Sequence, residues 1–184
     1  DKLDTNINVN ILEYKKVLNL IKFYKIDLVV IGPEEPLVKG LVNFLKNNRV
    51  RVFGPNKYAA KLEGSKAFMK DLCLQNKIPT AKFKICTKKS QVIIFLKRSK
   101  LPIVVKADGL AAGKGVTICK TKKAVINISN EIFKGKFKSS KKLVLEEFLE
   151  GEEASYFLIV DKNNFKFFGS AQDHKRVKEK DLGP

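Results

Sequence analysis

The segment from Pro102 to Cys119, PIVVKADGLAAGKGVTIC, places a pliable loop between two apolar runs. Nine consecutive positions, 107–115, hold three glycines, three alanines and one lysine. Glycine at this density is unfavourable inside a helix or a strand. The flanking runs IVVK and GVTIC have the composition of short buried strands. We therefore predict two antiparallel strands joined by a glycine-rich hairpin.

This loop has the composition of a phosphate-binding turn without a standard motif. A P-loop requires G-x-x-x-x-G-K-[ST] leading into a helix, whereas this loop has the spacing G-x-x-x-G-K-G and leads into a strand. Backbone N–H groups of such a turn can bind phosphate oxygens, and Lys106 at the end of the first strand adds a positive charge. A flexible lid over ATP is one interpretation, and an ordinary mobile hairpin is the alternative.

The first 60 residues alternate between helical and strand patterns. Apolar residues recur at helical spacing in ILEYKKVLNLIKFYKI, and a second helix is predicted from about Glu35 to Lys46. The short strands DLVVIG and RVFG both end at Gly-Pro. Strands with matched ends suggest a parallel sheet with its loops at the carboxyl edge, where ligands bind in such folds. Residues 1–60 are interpreted as the latter half of a Rossmann-like domain.

A second sheet is predicted in the rest of the chain. Helices at about 57–62 and 65–76 precede the break Ile78-Pro79-Thr80. The order is then β, α, β, β, α, β, ending with the strand LVLEEF. The segments ASYFLIVD and NFKFFGSA should form an antiparallel pair joined across Asn163-Asn164. The fold class is therefore α/β, becoming α+β in the second part.

Composition narrows the class of protein. With 184 residues and 44% hydrophobic content, the chain can fill a core, and no apolar run approaches the roughly 20 residues of a membrane helix. The net charge of +18 would attract phosphates. However, the lysines are spread along the chain without a nucleic-acid-binding signature, which disfavours a nucleic-acid-binding protein. The three cysteines lack C-x-x-C pairing, so we expect reduced, half-buried thiols in a reducing cytoplasm.

Two further stretches contain candidate ligand-binding residues. LVLEEFLEGEEAS places Glu146 and Glu147 at a strand end, which suits a nucleotide base and ribose. A solvated acidic surface is the alternative interpretation. Lys66 falls in the first turn of a helix, where its charge and the helix amides could both face a phosphate. An ordinary surface position is the alternative for this lysine.

Six blocks together carry a family resemblance that runs nearly end to end. GPEEPLVKGLVNFL, VFGPNKYAAKLEGSKAFMKDL, KIPTA, IVVKADGLAAGKGV, LVLEEFLEGEEAS and SAQDHKR occur here in this order. In order and spacing the chain resembles the phosphoribosylamine-glycine ligases of the ATP-grasp superfamily. The resemblance implies an ATP-grasp domain over 61–184, with a glycine-rich lid subdomain at about 81–150.

The resemblance also implies an activity. Such a ligase joins glycine to 5-phosphoribosylamine through a glycyl phosphate, with ATP converted to ADP and phosphate and with Mg²⁺ or Mn²⁺ as the metal. The chemistry depends on positioning and charge neutralisation, so no Ser, Cys or His nucleophile is needed and no catalytic residue is named. We further expect a cytoplasmic monomer with small-molecule substrates, not bound to nucleic acid or membrane.

Residue roles follow from the same resemblance. Lys66 and Lys106 would contact the ATP phosphates, and Glu153 would bind the ribose hydroxyls. The lid over the phosphates would comprise Asp108, Gly109, Leu110, Ala111, Ala112, Gly113, Lys114 and Gly115. The adenine would lie at the strand end formed by Glu146, Glu147, Phe148 and Leu149. The substrate side would include Asp173, His174, Lys175 and Arg176, although a single histidine beside charged residues is often only a surface residue.

Parts of the family pattern are missing from this sequence. Its glycine-rich first strand would precede Asp1, and its metal ligands would follow Pro184, so we expect a fragment without metal ligands that by itself binds nucleotide weakly and does not ligate. Two alternatives remain: another ATP-grasp ligase or carboxylase, against which QDHKR argues, and a basic nucleic-acid-binding module.

Overall fold

The computed structural model describes residues 5–111, 114–137 and 141–174. The chain divides into two compact units, Asp1–Phe148 and Leu149–Pro184. Each unit is described by itself below.

A small parallel sheet and three helices form the first part of unit one. In chain order the elements are α1 (Tyr14–Phe23), β1 (Val29–Val30), α2 (Glu34–Lys39), α3 (Leu41–Asn47) and β2 (Val52–Phe53). Strands β1 and β2 pair in parallel, with Val29 opposite Val52, which confirms the predicted parallel sheet. Their core is formed by Leu18, Ile21, Ile31, Leu41, Val42 and Leu45.

Gly40 divides what the sequence predicts as one helix. Its φ of 98° is left-handed, and its N–H donates to the carbonyls of Pro36 and Leu37. This is a helix C-cap conformation that glycine adopts without steric cost. The single helix predicted from Glu35 to Lys46 is therefore wrong, because the chain ends α2 at Lys39 and begins α3 at Leu41.

A four-stranded sheet forms the rest of unit one. Its elements are α4 (Lys61–Gly64), α5 (Lys66–Gln75), β3 (Phe83–Cys86), α6 (Lys89–Arg98), β4 (Ile103–Ala107), β5 (Val116–Cys119), α7 (Lys122–Phe133) and β6 (Leu143–Glu147). The predicted order β, α, β, β, α, β is confirmed. The helix predicted at about 57–62 begins later, at Lys61, because residues 57–60 form turns.

All neighbours in this sheet are antiparallel, in the order β3-β6-β4-β5. One face packs against α6 and α7, and its core includes Ile103, Val105, Leu143 and Leu145. Because side chains alternate along a strand, the opposite face carries Val104 and Lys106 on β4, with Val144 and Glu146 on β6. We call this second face the α5 face, since Lys70 of α5 contacts Glu146 there.

Unit two contains a long antiparallel hairpin. Strand β7 (Glu153–Val160) pairs with β8 (Phe165–Asp173), and Asp161 and Asn164 exchange backbone hydrogen bonds at the turn. The predicted hairpin across Asn163-Asn164 is therefore confirmed. Its large apolar side chains are exposed, including Tyr156, Phe165 and Phe168.

The three cysteine thiols are free, but only Cys73 is half-buried as predicted. Cys86 and Cys119 are buried in the core of the four-stranded sheet. Burial raises the pKa of Cys86 to about 11 and also raises the pKa of Cys119, because an apolar environment disfavours the thiolate. Within the described residues, no helix has both the length and the apolar character to cross a membrane.

Candidate functional site

The glycine-rich loop connects two strands that are confirmed as antiparallel, with Lys106 opposite Val116. Its two ends are joined by a hydrogen bond of 2.7 Å from the Ala107 N–H to the Gly115 carbonyl. A Cβ atom added at Gly115 would lie only 2.6 Å from the Cβ of Ala111. Glycine is therefore required there for the loop to fold back on itself. Within the loop, Leu110 is half-buried, Lys114 is exposed, and Ala112 and Gly113 lie outside the described residues.

Asp108 attaches the start of this loop to helix α5. The residue is 6% exposed, and its Oδ1 accepts hydrogen bonds from the Ser65 hydroxyl at 3.0 Å and the Ala67 N–H at 3.1 Å. Its Oδ2 lies 4.0 Å from Lys142 Nζ. A carboxylate at this end of a helix also interacts favourably with the helix dipole. Asp108 thus holds the loop against the first turn of α5.

Lys66 lies at the first position of α5, as the sequence predicts. Its Nζ donates to the Gly109 carbonyl at 3.3 Å. Ser65 caps the same helix, since its hydroxyl accepts from the Phe68 N–H. The structure therefore brings Lys66 and the glycine-rich loop together, although Lys66 and Gly109 lie 43 positions apart in the chain.

The second predicted lysine, Lys106, points into the α5 face and pairs with Glu146. Lys106 Nζ donates to Glu146 Oε2 at 2.9 Å, and Lys70 Nζ lies 3.3 Å from the same oxygen. Glu146 is 4% exposed, and its Oε1 has no hydrogen-bond partner among the described residues. One buried carboxylate therefore has two ammonium groups on one oxygen and an unused acceptor on the other.

The remaining residues of the predicted adenine-binding strand end have different environments. The Glu147 carboxylate accepts from the Lys82 N–H at 2.8 Å, which ties the end of β6 to the segment before β3. Phe148 is 37% exposed. In unit two, Leu149 is 65% exposed.

The predicted ribose and substrate residues belong to the hairpin of unit two. Glu153 begins β7 and lies opposite Asp173, the last residue of β8. His174 is exposed directly after β8, while Lys175 and Arg176 lie outside the described residues.

Comparison with known proteins decides the family. The model of the phosphoribosylglycinamide synthetase N domain matches residues 1–63, and the model of the ATP-grasp (A) domain of the same enzyme matches residues 64–184. The chain belongs to the phosphoribosylglycinamide synthetase family. The resemblance and the ATP-grasp fold expected from the sequence are confirmed.

Individual relatives agree with this assignment. The chain is 45% identical over 179 residues to the phosphoribosylamine-glycine ligase of Mesorhizobium japonicum, covering 97% of this chain and 42% of the relative. The crystal structure of the Thermotoga maritima phosphoribosylamine-glycine ligase superposes with a TM-score of 0.77 at 34% identity, over 98% of this chain and 43% of that one. The chain therefore spans less than half the length of these relatives.

A more distant likeness concerns the fold alone. The biotin carboxylase domain of the Hydrogenobacter thermophilus 2-oxoglutarate carboxylase is 20% identical, with a TM-score of 0.74 over 92% of this chain and 40% of that one. The ATP-grasp architecture is thus shared with an enzyme outside the phosphoribosylglycinamide synthetase family.

Sequence reasoning missed Lys70 and Ser65, which contact the predicted site residues Glu146 and Asp108. Lys70 follows Lys66 by four positions, so both lie on one side of α5, and this spacing was the available signal. Ser65 precedes the helix and is a preferred N-cap residue. Neither pattern reveals Glu146 or Asp108 as the partner, because those contacts span 76 and 43 positions of the chain respectively.

Proposed function

We propose that the full-length protein containing this chain ligates glycine to 5-phosphoribosylamine, forming glycinamide ribonucleotide, ADP and phosphate. The observation that carries this proposal is the match to both family domains in consecutive order, residues 1–63 and 64–184. The proposed reaction has two steps. A glycine carboxylate oxygen attacks the γ-phosphorus of ATP and ADP leaves; the amine of phosphoribosylamine then attacks the acyl carbon, phosphate leaves, and the nitrogen loses a proton.

Residues of helix α5 and of the α5 face of the sheet fit the triphosphate of ATP. Lys66 and Lys106 supply two ammonium groups near the glycine-rich loop, and phosphate oxygens accept strong hydrogen bonds from such groups. Because Gly115 packs tightly on Ala111, there is no room for a side chain at this position of the loop. Loss of either lysine charge should weaken the binding of a polyanion such as ATP more than the binding of a less charged ligand.

The same face also fits a nucleotide base. Val116 and Ile118 lie opposite Lys106 and Val104, so their side chains share the α5 face, and they are 45% and 49% exposed. They offer an apolar surface for a flat ring. The unpartnered Oε1 of Glu146 offers an acceptor for an amino group. These features support adenine binding by Glu146 and the strand end that follows it.

The other predicted roles remain proposals. Glu153 would bind the ribose hydroxyls, and the substrate side would comprise Asp173, His174, Lys175 and Arg176. We also propose that Mg²⁺ accompanies ATP and that the protein is a cytoplasmic monomer. Within this chain, we propose a Rossmann-like domain over residues 1–60 and an ATP-grasp domain over residues 61–184. The metal would neutralise phosphate charge. Among the described residues, no cluster of three His, Cys, Asp or Glu side chains could hold it.

The proposal can be tested by measuring the phosphate that the full-length protein releases from ATP in the presence of Mg²⁺. Release should require both glycine and 5-phosphoribosylamine, and Lys106→Ala should raise the KM for ATP about tenfold or more, as loss of a charged contact does. Lys123→Ala is the matched control, because Lys123 is an exposed lysine of α7, which covers the opposite face of the sheet.

Other results would contradict the proposal. Phosphate release that requires bicarbonate or another acid in place of glycine would indicate a different ATP-grasp enzyme. Steeply salt-dependent binding of polynucleotide without preference for ATP would favour the basic-module alternative.

A further inference from the structure

Lys70 is a buried lysine to which the family resemblance assigns no role. The residue is 3% exposed, on the side of α5 that faces the four-stranded sheet. Burying an ammonium group is costly unless partners compensate for its lost hydration. A lysine retained at such a position therefore needs a specific set of partners.

Three groups hold the Lys70 ammonium in place. Its Nζ donates to the Thr80 hydroxyl at 2.6 Å and lies 3.3 Å from Glu146 Oε2. The ring of Phe83 lies below it, with its centroid 5.5 Å from Nζ, within the range of a cation–π interaction. These partners come from β6, from β3 and from the segment that precedes β3, so Lys70 is held from several directions.

Lys106 shares the same carboxylate oxygen but is held less firmly. Its side chain is 27% exposed, compared with 4% for Lys70 and 5% for Glu146. Among the residues that the structure describes, its one hydrogen-bond partner is Glu146 Oε2, at 2.9 Å. The cluster has two positive charges and one negative charge, so one ammonium group is in excess. Lys106 is the one that can reorient toward solvent or a ligand.

We propose that Lys70 is a positioning residue that neutralises Glu146, so that Lys106 can leave this carboxylate and bind the nucleotide phosphates. The inference rests on the proposed ATP-dependent function. When Lys106 turns to a phosphate, Glu146 stays paired with Lys70 and is never left as a lone buried anion. Without Lys70, Lys106 is the one cation of the described residues that contacts Glu146. The carboxylate and the nucleotide phosphates would then compete for Lys106.

This competition predicts a specific pattern in variants. Lys70→Met should raise the KM for ATP about tenfold or more, since an uncompensated buried carboxylate binds its remaining partner strongly. Adding Glu146→Gln should remove the competing charge. The double variant Lys70→Met/Glu146→Gln should therefore have the same KM for ATP as Glu146→Gln alone, within about twofold. If Lys70 had only a structural role, Lys70→Met would instead raise the KM for ATP by the same factor in the unaltered protein and in Glu146→Gln.

The experiment measures KM for ATP and kcat in the full-length protein, with thermal unfolding of each variant. Lys123→Met controls for loss of a surface lysine and should match the unaltered protein. If Lys70→Met alone fails to fold, the comparison of the double variant with Glu146→Gln still tests the proposal, since removing both partners of a buried pair is far less disruptive than removing one.

The outcomes separate this inference from the proposed function. An unaltered protein that neither binds nor hydrolyses ATP would overturn both. ATP-dependent activity in the unaltered protein, with an unchanged KM in Lys70→Met, would overturn only the role of Lys70. An equal loss of affinity on removing Lys70 in both backgrounds would also overturn it.

Discussion

Asp108 connects the glycine-rich loop to the start of α5 through hydrogen bonds from Ser65 and Ala67, which lie 43 and 41 positions earlier in the chain. The sequence predicts Asp108 only as part of a lid, because an aspartate beside a glycine has no local feature that reveals a distant partner. Lys66 was easier to place, since the residues around it have the pattern of a helix start. At the scale of the residue, sequence thus predicted the position of charged groups better than their partners.

Replacing Asp108 should test this connection. Asp108→Ala leaves the Ala67 N–H and the Ser65 hydroxyl without their acceptor, so we expect the free energy of unfolding to fall by about 2 kcal/mol. Asp108→Asn keeps one acceptor oxygen and should lose less than half as much. Urea unfolding followed by circular dichroism measures both. Equal losses in the two variants would show that the hydrogen bonds to Oδ1 do not stabilise the helix start.

At the scale of elements, the glycine-rich hairpin was predicted from composition, while its closed shape was not. The two strands were recognisable because apolar residues flank a segment that no regular element tolerates. The close approach of Gly115 to Ala111 depends on how the loop folds back, which composition does not specify. The division of α2 from α3 was missed for a related reason: glycine inside a helical pattern can be tolerated or can end the helix.

A methyl group at Gly115 should disturb the loop. Because the new Cβ would lie 2.6 Å from Ala111 Cβ, we expect Gly115→Ala to lower the free energy of unfolding by about 1–3 kcal/mol and to weaken ATP binding. Gly32→Ala is the matched control, since no described heavy atom other than its chain neighbours lies within 4 Å of its added Cβ.

A compensating change gives the decisive comparison. Ala111→Gly removes the methyl group that Gly115→Ala would strike, so the double variant should recover most of the lost ATP affinity in a calorimetric titration. Failure to recover would mean that the loop backbone at Gly115, and not this contact, limits binding.

At the scale of the whole molecule, the two units differ in how much they bury. Strand β4 has Ile103 and Val105 fully buried, whereas most of β7 and β8 is exposed. A two-stranded hairpin whose described residues are mostly exposed on both faces is marginally stable. Contiguous exposed apolar surface usually marks an interface.

Hydrogen exchange should show this difference directly. In the 184-residue chain, backbone amides of β4 and β6 should exchange at least about a hundredfold more slowly than those of β7 and β8, because local opening of the hairpin exposes little further apolar surface. Mass spectrometry of peptides from the two units measures the ratio, and both sets come from one sample. Equal protection would show that the hairpin is stable without cover.

Local periodicity, turn residues and the order of short motifs were sufficient to predict most elements, their order, the hairpins and the family, although not the division of α2 from α3. The sheet order β3-β6-β4-β5, in which β6 pairs between two earlier strands, became evident only from the folded chain. That pairing puts Glu146 beside Lys106, and the packing of α5 adds Lys70. These partners depend on contacts between distant segments, and local sequence pattern carries no information about which distant segments meet.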